Sequence, residues 1–500
     1  MLTLVLGGPG CGKTTALLKI IDEQLSKGVP PHRIGYVTFT RKAAQEGLER
    51  ACAKFDLDAD EFPYFRTLHS LAFKQLGLQP ESVMDDKAMG DFAKFSGLAL
   101  SGVAGADDVG MGIAMRTEDD RVLAAISLAR LTCQPLEDIC EQMNVSHRRA
   151  VEVDHDYRHF KDARAVVDFT DMLEQFAGEA FPVPRLSVLI VDEAQDLCRL
   201  QWQIVERLAK DVDEMFVAGD DDQAIYEWAG ADVPYFLALQ GKKRVLPTSY
   251  RLRREVFNVC QRVVGHIDQR FEKDWQPHAE GGLVERVGGI TDLDLTDGSW
   301  YLLARNSYML SSARGYLRDQ GFPYYWGTKS SVDNDDVRAL LAWEHLRRGG
   351  TLSAPDVQRL YQLLRAGKVA RGYKTTVFEG GDYDMRNLRE SFGLVTDEDW
   401  MHVLDLSPRD REYYREVKRR GESLTKPPRI TLSTIHGVKG GEADHVMLMS
   451  DMSAATYKHF LDDRASESRV FYVGASRAKK SLHIVNPVTP KAYPIGEVAC

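Results

Sequence analysis

The stretch LTLVLGGPGCGKTTALLKIIDEQLSKG, Leu2 to Gly28, decides how the rest of the chain is read. Leu2 to Leu6 is an apolar run of the length of a buried parallel strand. It passes without a break into Gly7-Gly8-Pro9-Gly10-Cys11-Gly12-Lys13-Thr14, which matches G-x-x-x-x-G-K-[ST] and is followed by Thr15. Leu17, Leu18, Ile20, Ile21 and Leu25 then recur at helical spacing, and Gly28 stands where a helix C-terminus wants a residue free to take positive φ. Strand, loop and helix are in the order a phosphate-binding loop needs. Backbone N–H groups at the helix N-terminus can approach phosphates, Lys13 can reach the β- and γ-phosphates, and Thr14 can offer its hydroxyl to Mg²⁺.

Working outward, 500 residues with 44% hydrophobic and 28% charged side chains make a soluble globular chain of several domains. No apolar run approaches the ~18 residues of a membrane span. Met1 enters the first strand with no signal-peptide pattern, so a cytoplasmic location with no membrane partner is expected. The seven cysteines (11, 52, 133, 140, 198, 260 and 500) include no C-x-x-C pair, which argues against a disulfide framework, a zinc site or an iron–sulfur cluster. Net charge is −10, from 64 basic and 74 acidic residues. That balance does not exclude nucleic acid, because such a site needs only a local basic track.

Ile34 to Phe39 reads as a second buried strand, with Thr40-Arg41-Lys42 opening a helix at the strand end where open α/β sheets bind ligands. Phe65 to Ser70, FRTLHS, leads another amphipathic helix. From about Pro80 to Val166 the strand pattern gives way to helices, and Gly97 to Gly112, rich in glycine and lacking aromatics, reads as a loop. Arg148, Arg149, Arg158, His159, Lys161 and Arg164 alternate with acids and read as a mixed, solvated face. The α/β pattern resumes at Leu186 to Val191, which ends in Asp192-Glu193-Ala194-Gln195-Asp196. A carboxylate at the tip of a buried strand beside a phosphate loop suits Mg²⁺ held through its water shell, and Glu193 can orient and deprotonate an attacking water. Met215 to Ala218 is followed by GDDDQAIYEWAGA, in which Gln223 can sense a γ-phosphate. Tyr226 and Trp228 read equally as core or as an exposed aromatic pair. A strand from Val245 ends in Ser249-Tyr250-Arg251, and a second α/β unit begins near residue 245. Residues 349 to 428 read as helical and charged. Strands return at Arg429 to Ser433 and His445 to Met449, and Leu482 to Val485 closes the sheet.

Taken in order, these stretches resemble the UvrD/Rep/PcrA-like helicases of superfamily 1A across nearly the whole chain. GGPGCGKTT, VTFTRKAAQE, FRTLHSLA and LIVDEAQD look like motifs I, Ia, Ib and II. VAGDDDQAIYEWAGA, TSYR, LSTIHGVKGGEAD and VFYVGASRAKK look like motifs III to VI. The compact length looks most like bacteriophage-encoded members.

The resemblance implies an α/β fold: two RecA-like P-loop domains with parallel sheets, each interrupted by a mainly helical insertion. The expected boundaries are 1–80 and 167–247 for the first domain with an insertion at 81–166. For the second they are 248–348 and 429–500 with an insertion at 349–428. It implies ATP between the domains, bound by Gly7, Gly8, Pro9, Gly10, Cys11, Gly12, Lys13, Thr14, Thr15, Gln223, Tyr250, Arg251, Glu442 and Arg477. Tyr250 would stack on adenine; the family's adenine-reading glutamine, about twenty residues before the loop, has no counterpart in this sequence, so either purine selectivity is loose or Tyr250 supplies most of it. Thr14 and Asp192 would hold Mg²⁺. Lys13, Glu193 and Gln223 would act from the first domain in hydrolysis, while Arg251 and Arg477 reach across from the second. Single-stranded DNA would meet Phe39, Tyr226 and Trp228 as stacking platforms and Thr40, Thr67, His69 and His436 at its backbone. The implied activity is ATP-driven translocation, 3′ to 5′, on single-stranded and forked DNA, with unwinding in replication, repair or recombination beside proteins of those processes. An alternative is a translocase that chiefly strips bound protein within a larger complex; a catalytically inert DNA-binding scaffold fits poorly with an intact set of ATP residues. KGGEAD in place of the family's KGLEF is expected to leave that loop less packed at Gly441 and Ala443.

Overall fold

A computed structural model describes residues 1–101 and 117–495. Of the glycine-rich loop expected at Gly97 to Gly112, residues 102–112 lie outside the described residues. The chain forms two compact units, one of Met1–Gly281 with His459–Ser476, the other of Gly282–Lys458 with the residues from Arg477 onward.

The first unit is built on a six-stranded sheet. Its strands are β1 (Leu2–Leu6), β2 (Ile34–Thr38), β3 (Phe65–Thr67), β4 (Val188–Asp192), β5 (Glu214–Gly219) and β6 (Lys242–Val245), in the order β3-β2-β4-β5-β1-β6. Every pairing is parallel. β2 and β4 are buried along their whole length, which is why they read as continuous apolar runs instead of alternating ones. Phe65 to Thr67 was expected to belong to a helix start; it is an edge strand, and the helix Leu68–Gln75 begins immediately after it. Because β1 lies between β5 and β6 and β2 beside β4, the loops that follow β1, β4 and β5 emerge at the same carboxyl edge, where α/β sheets bind ligands.

The helices Asp86–Ser96, Glu118–Thr132, Leu136–Gln142 and His147–Arg164 pack around a core of their own that includes Phe92, Ile126, Val153 and Phe160. Lys161 departs from the solvated face on which it was expected. It is buried, contacts Asp168 at 2.5 Å, and shares that carboxylate with Arg130. Arg148 and Arg158 do follow expectation, each pairing one helical turn along with Glu152 or Asp154.

The strand expected from Val245 through Arg251 is two strands. β6 ends at Val245, and β7 (Thr248–Arg253) pairs in parallel with β8 (Gln276–Ala279) as a separate ribbon. The helices Arg254–Val264 and Arg464–Ala475 pack together in this same unit, burying Val256, Val259, Cys260 and Val263. The contact boundary therefore falls at Gly281, beyond residue 247.

The second unit carries β9 (Leu283–Val287), β10 (Trp300–Ala304), β11 (Tyr324–Trp326), β12 (Lys329–Ser330), β15 (Ile430–Thr434), β16 (Ala443–Met449) and β17 (Ala478–Val485); between β12 and β15, β13 (Leu352–Ser353) and β14 (Asp382–Tyr383) make a small ribbon. The main sheet runs β12-β11-β15-β10-β16-β17-β9, parallel except for the β11–β12 edge hairpin. β17 does not close this sheet: β9, whose sequence LVERV is too polar to read as a core strand, pairs outside it. One hydrophobic core runs from Trp300 and Leu302 on the sheet through Trp343, Tyr361, Trp400 and Tyr413, so the shorter insertion is packed as part of this unit.

Candidate nucleotide and nucleic-acid site

The phosphate-binding loop leaves β1 and turns into the helix Lys13–Ser26 through Gly10 and Gly12, both at positive φ (70° and 75°). Lys13 Nζ donates to the Gly7 carbonyl at 3.2 Å, so its ammonium lies folded over the loop. The β7 strand clamps the same loop: the Tyr250 N–H donates to Gly10 O at 2.9 Å and Ser249 Oγ to Pro9 O at 2.6 Å. A Cβ at Gly10 would strike Arg251, and one at Gly8 would strike the Trp275 ring, so these glycines are also demanded by close approach. Arg251 was expected to reach the loop from the second domain; it lies against Gly10 within the first compact unit. Tyr250 beside it is 69% exposed, with the His278 ring 5.8 Å from its own.

Asp192 closes β4 and is buried. Tyr36, on β2, donates its hydroxyl to Asp192 Oδ2 at 2.5 Å, and the Glu193 N–H donates to Oδ1 at 2.9 Å. Burial, then the neighbouring Glu193 carboxylate, push Asp192 up to about 6, against the Tyr36 hydrogen bond and Lys13. Thr38, register partner of Asp192 on β2, has a buried hydroxyl with no hydrogen-bond partner among the described residues. A carboxylate held above its usual range beside an orphaned hydroxyl is a site short of positive charge, and it fits a divalent cation. Glu193 itself sits at φ 51°, a left-handed conformation rare for a non-glycine residue and common at active sites.

Gln195 and Asp220 join the remaining parts. Gln195 Nε2 donates to Glu193 Oε2 at 2.7 Å, while its Oε1 accepts from the Asp220 N–H at 3.0 Å. Gln223 Nε2 donates to Asp220 Oδ2 at 2.7 Å. Asp220, Asp221 and Asp222 are wholly buried, and their charges are met by residues that sequence reading left aside. Lys273 pairs with all three, Arg270 grips Asp222 at 2.7 and 2.6 Å, and Arg469 donates to the Asp221 carbonyl at 3.1 Å. Burial raises Asp220, yet Lys273 and Lys13 outweigh it and hold the carboxyl below its ordinary range. Nothing in the segment RFEKDW signals these contacts; the run of three aspartates before Gln223, with so few cations beside it in sequence, was the available clue.

The aromatic residues occupy a neighbouring surface. Phe39 stacks on Tyr226 with ring centroids 5.5 Å apart, and Tyr226 meets Trp228 edge-on at 6.5 Å. Trp228 is 46% exposed, whereas Phe39 is buried and backs Tyr226 from beneath. Phe39, His69, Tyr226 and Ala229 line one small recess. Burial, then Arg41, push His69 down to about 4, leaving a neutral imidazole. Thr40 and Thr67 accept from the Ala43 and Ser70 N–H groups at their helix starts, so each hydroxyl keeps its own proton to donate.

Glu442, His436 and Arg477 belong to the second unit. Glu442 is exposed with Lys479 at 3.6 Å, His436 opens the turn after β15, and the buried Arg477 donates to Gly441 O at 3.1 Å. Gly441 does not loosen its loop as expected: a Cβ there would run into the Tyr301 hydroxyl, so the glycine is what lets the loop pack closely.

Comparison with known proteins agrees with this arrangement. Residues 2–244 match the UvrD/REP helicase N-terminal domain, and residues 416–487 the UvrD-like helicase C-terminal domain. The chain is 22% identical to the ATP-dependent DNA helicase PcrA of Bacillus subtilis over 604 aligned positions, covering 97% of this chain and 80% of that protein. It is 25% identical to the proteins of that name from Staphylococcus epidermidis and Staphylococcus aureus, over 318 and 308 positions. Each staphylococcal match takes in 58% of this chain and spans 42% of the relative. With both domain models matched in order along the chain, and the stretches that follow β1, β2, β4 and β5 at the carboxyl edge of one parallel sheet, the chain belongs to the UvrD/Rep/PcrA-like helicases of superfamily 1A.

Proposed function

We propose that this protein is an ATP-dependent DNA helicase that moves 3′ to 5′ on single-stranded DNA and unwinds duplex DNA during replication, repair or recombination. The observation that carries the reading is the short run from Gln223 to Trp228, in which a hydrogen-bonded member of the nucleotide site lies three residues from an aromatic stack. Only Ala224 and Ile225 separate Gln223 from Tyr226, so on this proposal a shift of Gln223 on hydrolysis is passed along this short buried link to the rings. Bases stack on exposed aromatics irrespective of sequence, which suits a motor that must step along any strand.

In this reading Lys13 and the loop N–H groups hold the β- and γ-phosphates, Tyr250 covers adenine, and Glu193 takes the proton of the attacking water. Thr14 and Asp192 would hold Mg²⁺, which would supply neutralisation of the phosphate charge. Arg251 and Arg477 neutralise the charge that develops on the γ-phosphate. Because phosphoryl transfer is catalysed mainly by positioning and charge neutralisation, an arginine of this kind is worth about 10³ to 10⁵ in rate. Thr40, Thr67, His69 and His436 contact the DNA backbone.

Unwinding of paired substrates with opposite single-stranded overhangs, by wild type and Lys13→Ala, tests the reading. Strand separation only from the 3′ overhang, dependent on ATP and absent in Lys13→Ala, is expected. DNA-independent or absent ATP hydrolysis by the wild type overturns it.

A further inference from the structure

Lys273 lies outside every motif quoted above, in the segment between the helix Arg254–Val264 and β8, yet its side chain is fully buried. Its ammonium donates to Asp220 Oδ1 at 2.7 Å, reaches Asp222 Oδ2 at 2.9 Å, and bonds Asp221 between them. Asp220 is in turn the junction of the candidate hydrolytic groups. Its other carboxylate oxygen accepts from Gln223 at 2.7 Å, and its N–H donates to Gln195, which holds Glu193 at 2.7 Å. Three consecutive buried carboxylates repel one another, and Arg270 serves only Asp222 among them. Without the Lys273 charge, Asp220 would have to shift or take up a proton, and either change alters the acceptor that fixes the Gln223 amide.

We propose that Lys273 is a positioning residue for ATP hydrolysis, acting through Asp220 on Gln223 and, by way of Gln195, on Glu193. The proposal rests on the ATPase reading above. Lys273 touches neither phosphate nor water itself. Its part is to hold one carboxylate so that the γ-phosphate sensor and the base keep their relative placement when nucleotide enters. Errors of position at such a distance from the chemistry lower turnover far more than binding, because Lys273 makes its contacts to the aspartates, while the phosphate loop meets this cluster through the charge of Lys13 on Asp220 and the packing of Trp275 on Gly8.

The test uses the full chain with Lys273→Met and, because an uncompensated buried charge can prevent folding, the double variant Lys273→Met/Asp220→Asn, which removes one charge of each sign. DNA-stimulated ATPase gives kcat and KM, and binding of a fluorescent ADP reports the loop alone. In whichever variant folds, kcat is expected to fall on the order of a hundredfold while KM and ADP affinity hold near wild type. A wild-type kcat in a folded variant, or a loss of ADP affinity in step with kcat, overturns the positioning role. Failure of the wild type to hydrolyse ATP defeats the ATPase reading instead, so the two failures are distinguishable.

Discussion

The Tyr36 hydroxyl donates to Asp192 Oδ2 at 2.5 Å across adjacent strands, so a phenol from the middle of the sheet aims the carboxylate that ends β4. Tyr36 is 1% exposed and Asp192 4%, so the bond lies out of reach of bulk solvent. Tyr36→Phe is expected to cost about 1.5 to 3 kcal/mol in urea unfolding, the range for a hydrogen bond to a charged group. It should also raise the Mg²⁺ concentration needed for half-maximal ATPase. Unchanged stability with unchanged Mg²⁺ dependence would remove Tyr36 from the site.

Glu193 is held by Gln195 and takes no part in the hydrophobic core, so Glu193→Gln should leave the fold intact. Nucleotide binding is expected to persist while turnover falls by roughly 10² to 10⁴, the worth of a general base. Stopped-flow phosphate release beside equilibrium nucleotide binding separates the two, and near-normal turnover assigns the base elsewhere.

Trp228 is 46% exposed, whereas Phe39 is buried under Tyr226. Trp228→Ala should weaken single-stranded DNA binding by about 1 to 3 kcal/mol and lower DNA-stimulated hydrolysis, with DNA-free hydrolysis and thermal stability little changed. Fluorescence anisotropy on a homopolymer oligonucleotide measures the affinity; an equal Kd would return Trp228 to a packing role.

His69 gives a pH dependence of stability with a definite sign. Its folded pKa, near 4, lies below the unfolded value near 6.5, so the unfolded chain binds the proton first. Stability conferred by the neutral ring is complete above pH 6.5 and is lost progressively as pH falls toward 4, by at most roughly 3 kcal/mol. Urea titrations at several pH values on wild type and His69→Gln should show a shallower acid loss in the variant. Parallel curves would mean that His69 titrates normally.

Much of this was legible in the chain itself because the chemistry is local. The loop from Gly7 to Thr15 carries its motif in consecutive residues, and β2 and β4 are buried on both faces, so their apolar runs identify them and place Asp192 and Glu193 at the end of β4, while Lys13 opens the helix that follows the loop after β1. The edge strands β3 and β9 were not legible, since an edge strand is short or polar and its pairing comes from a neighbour distant in sequence.

What the tertiary structure alone decided is which distant charges meet. Lys273 lies some fifty residues from the aspartates it neutralises, Tyr36 lies 156 residues from Asp192, and Arg251 is further still from Gly10. A local motif records which groups do the chemistry because they must be adjacent to work. The groups that hold them in place need only be adjacent in space, and a buried carboxylate accepts its counter-charge from any part of the chain that the fold brings to it.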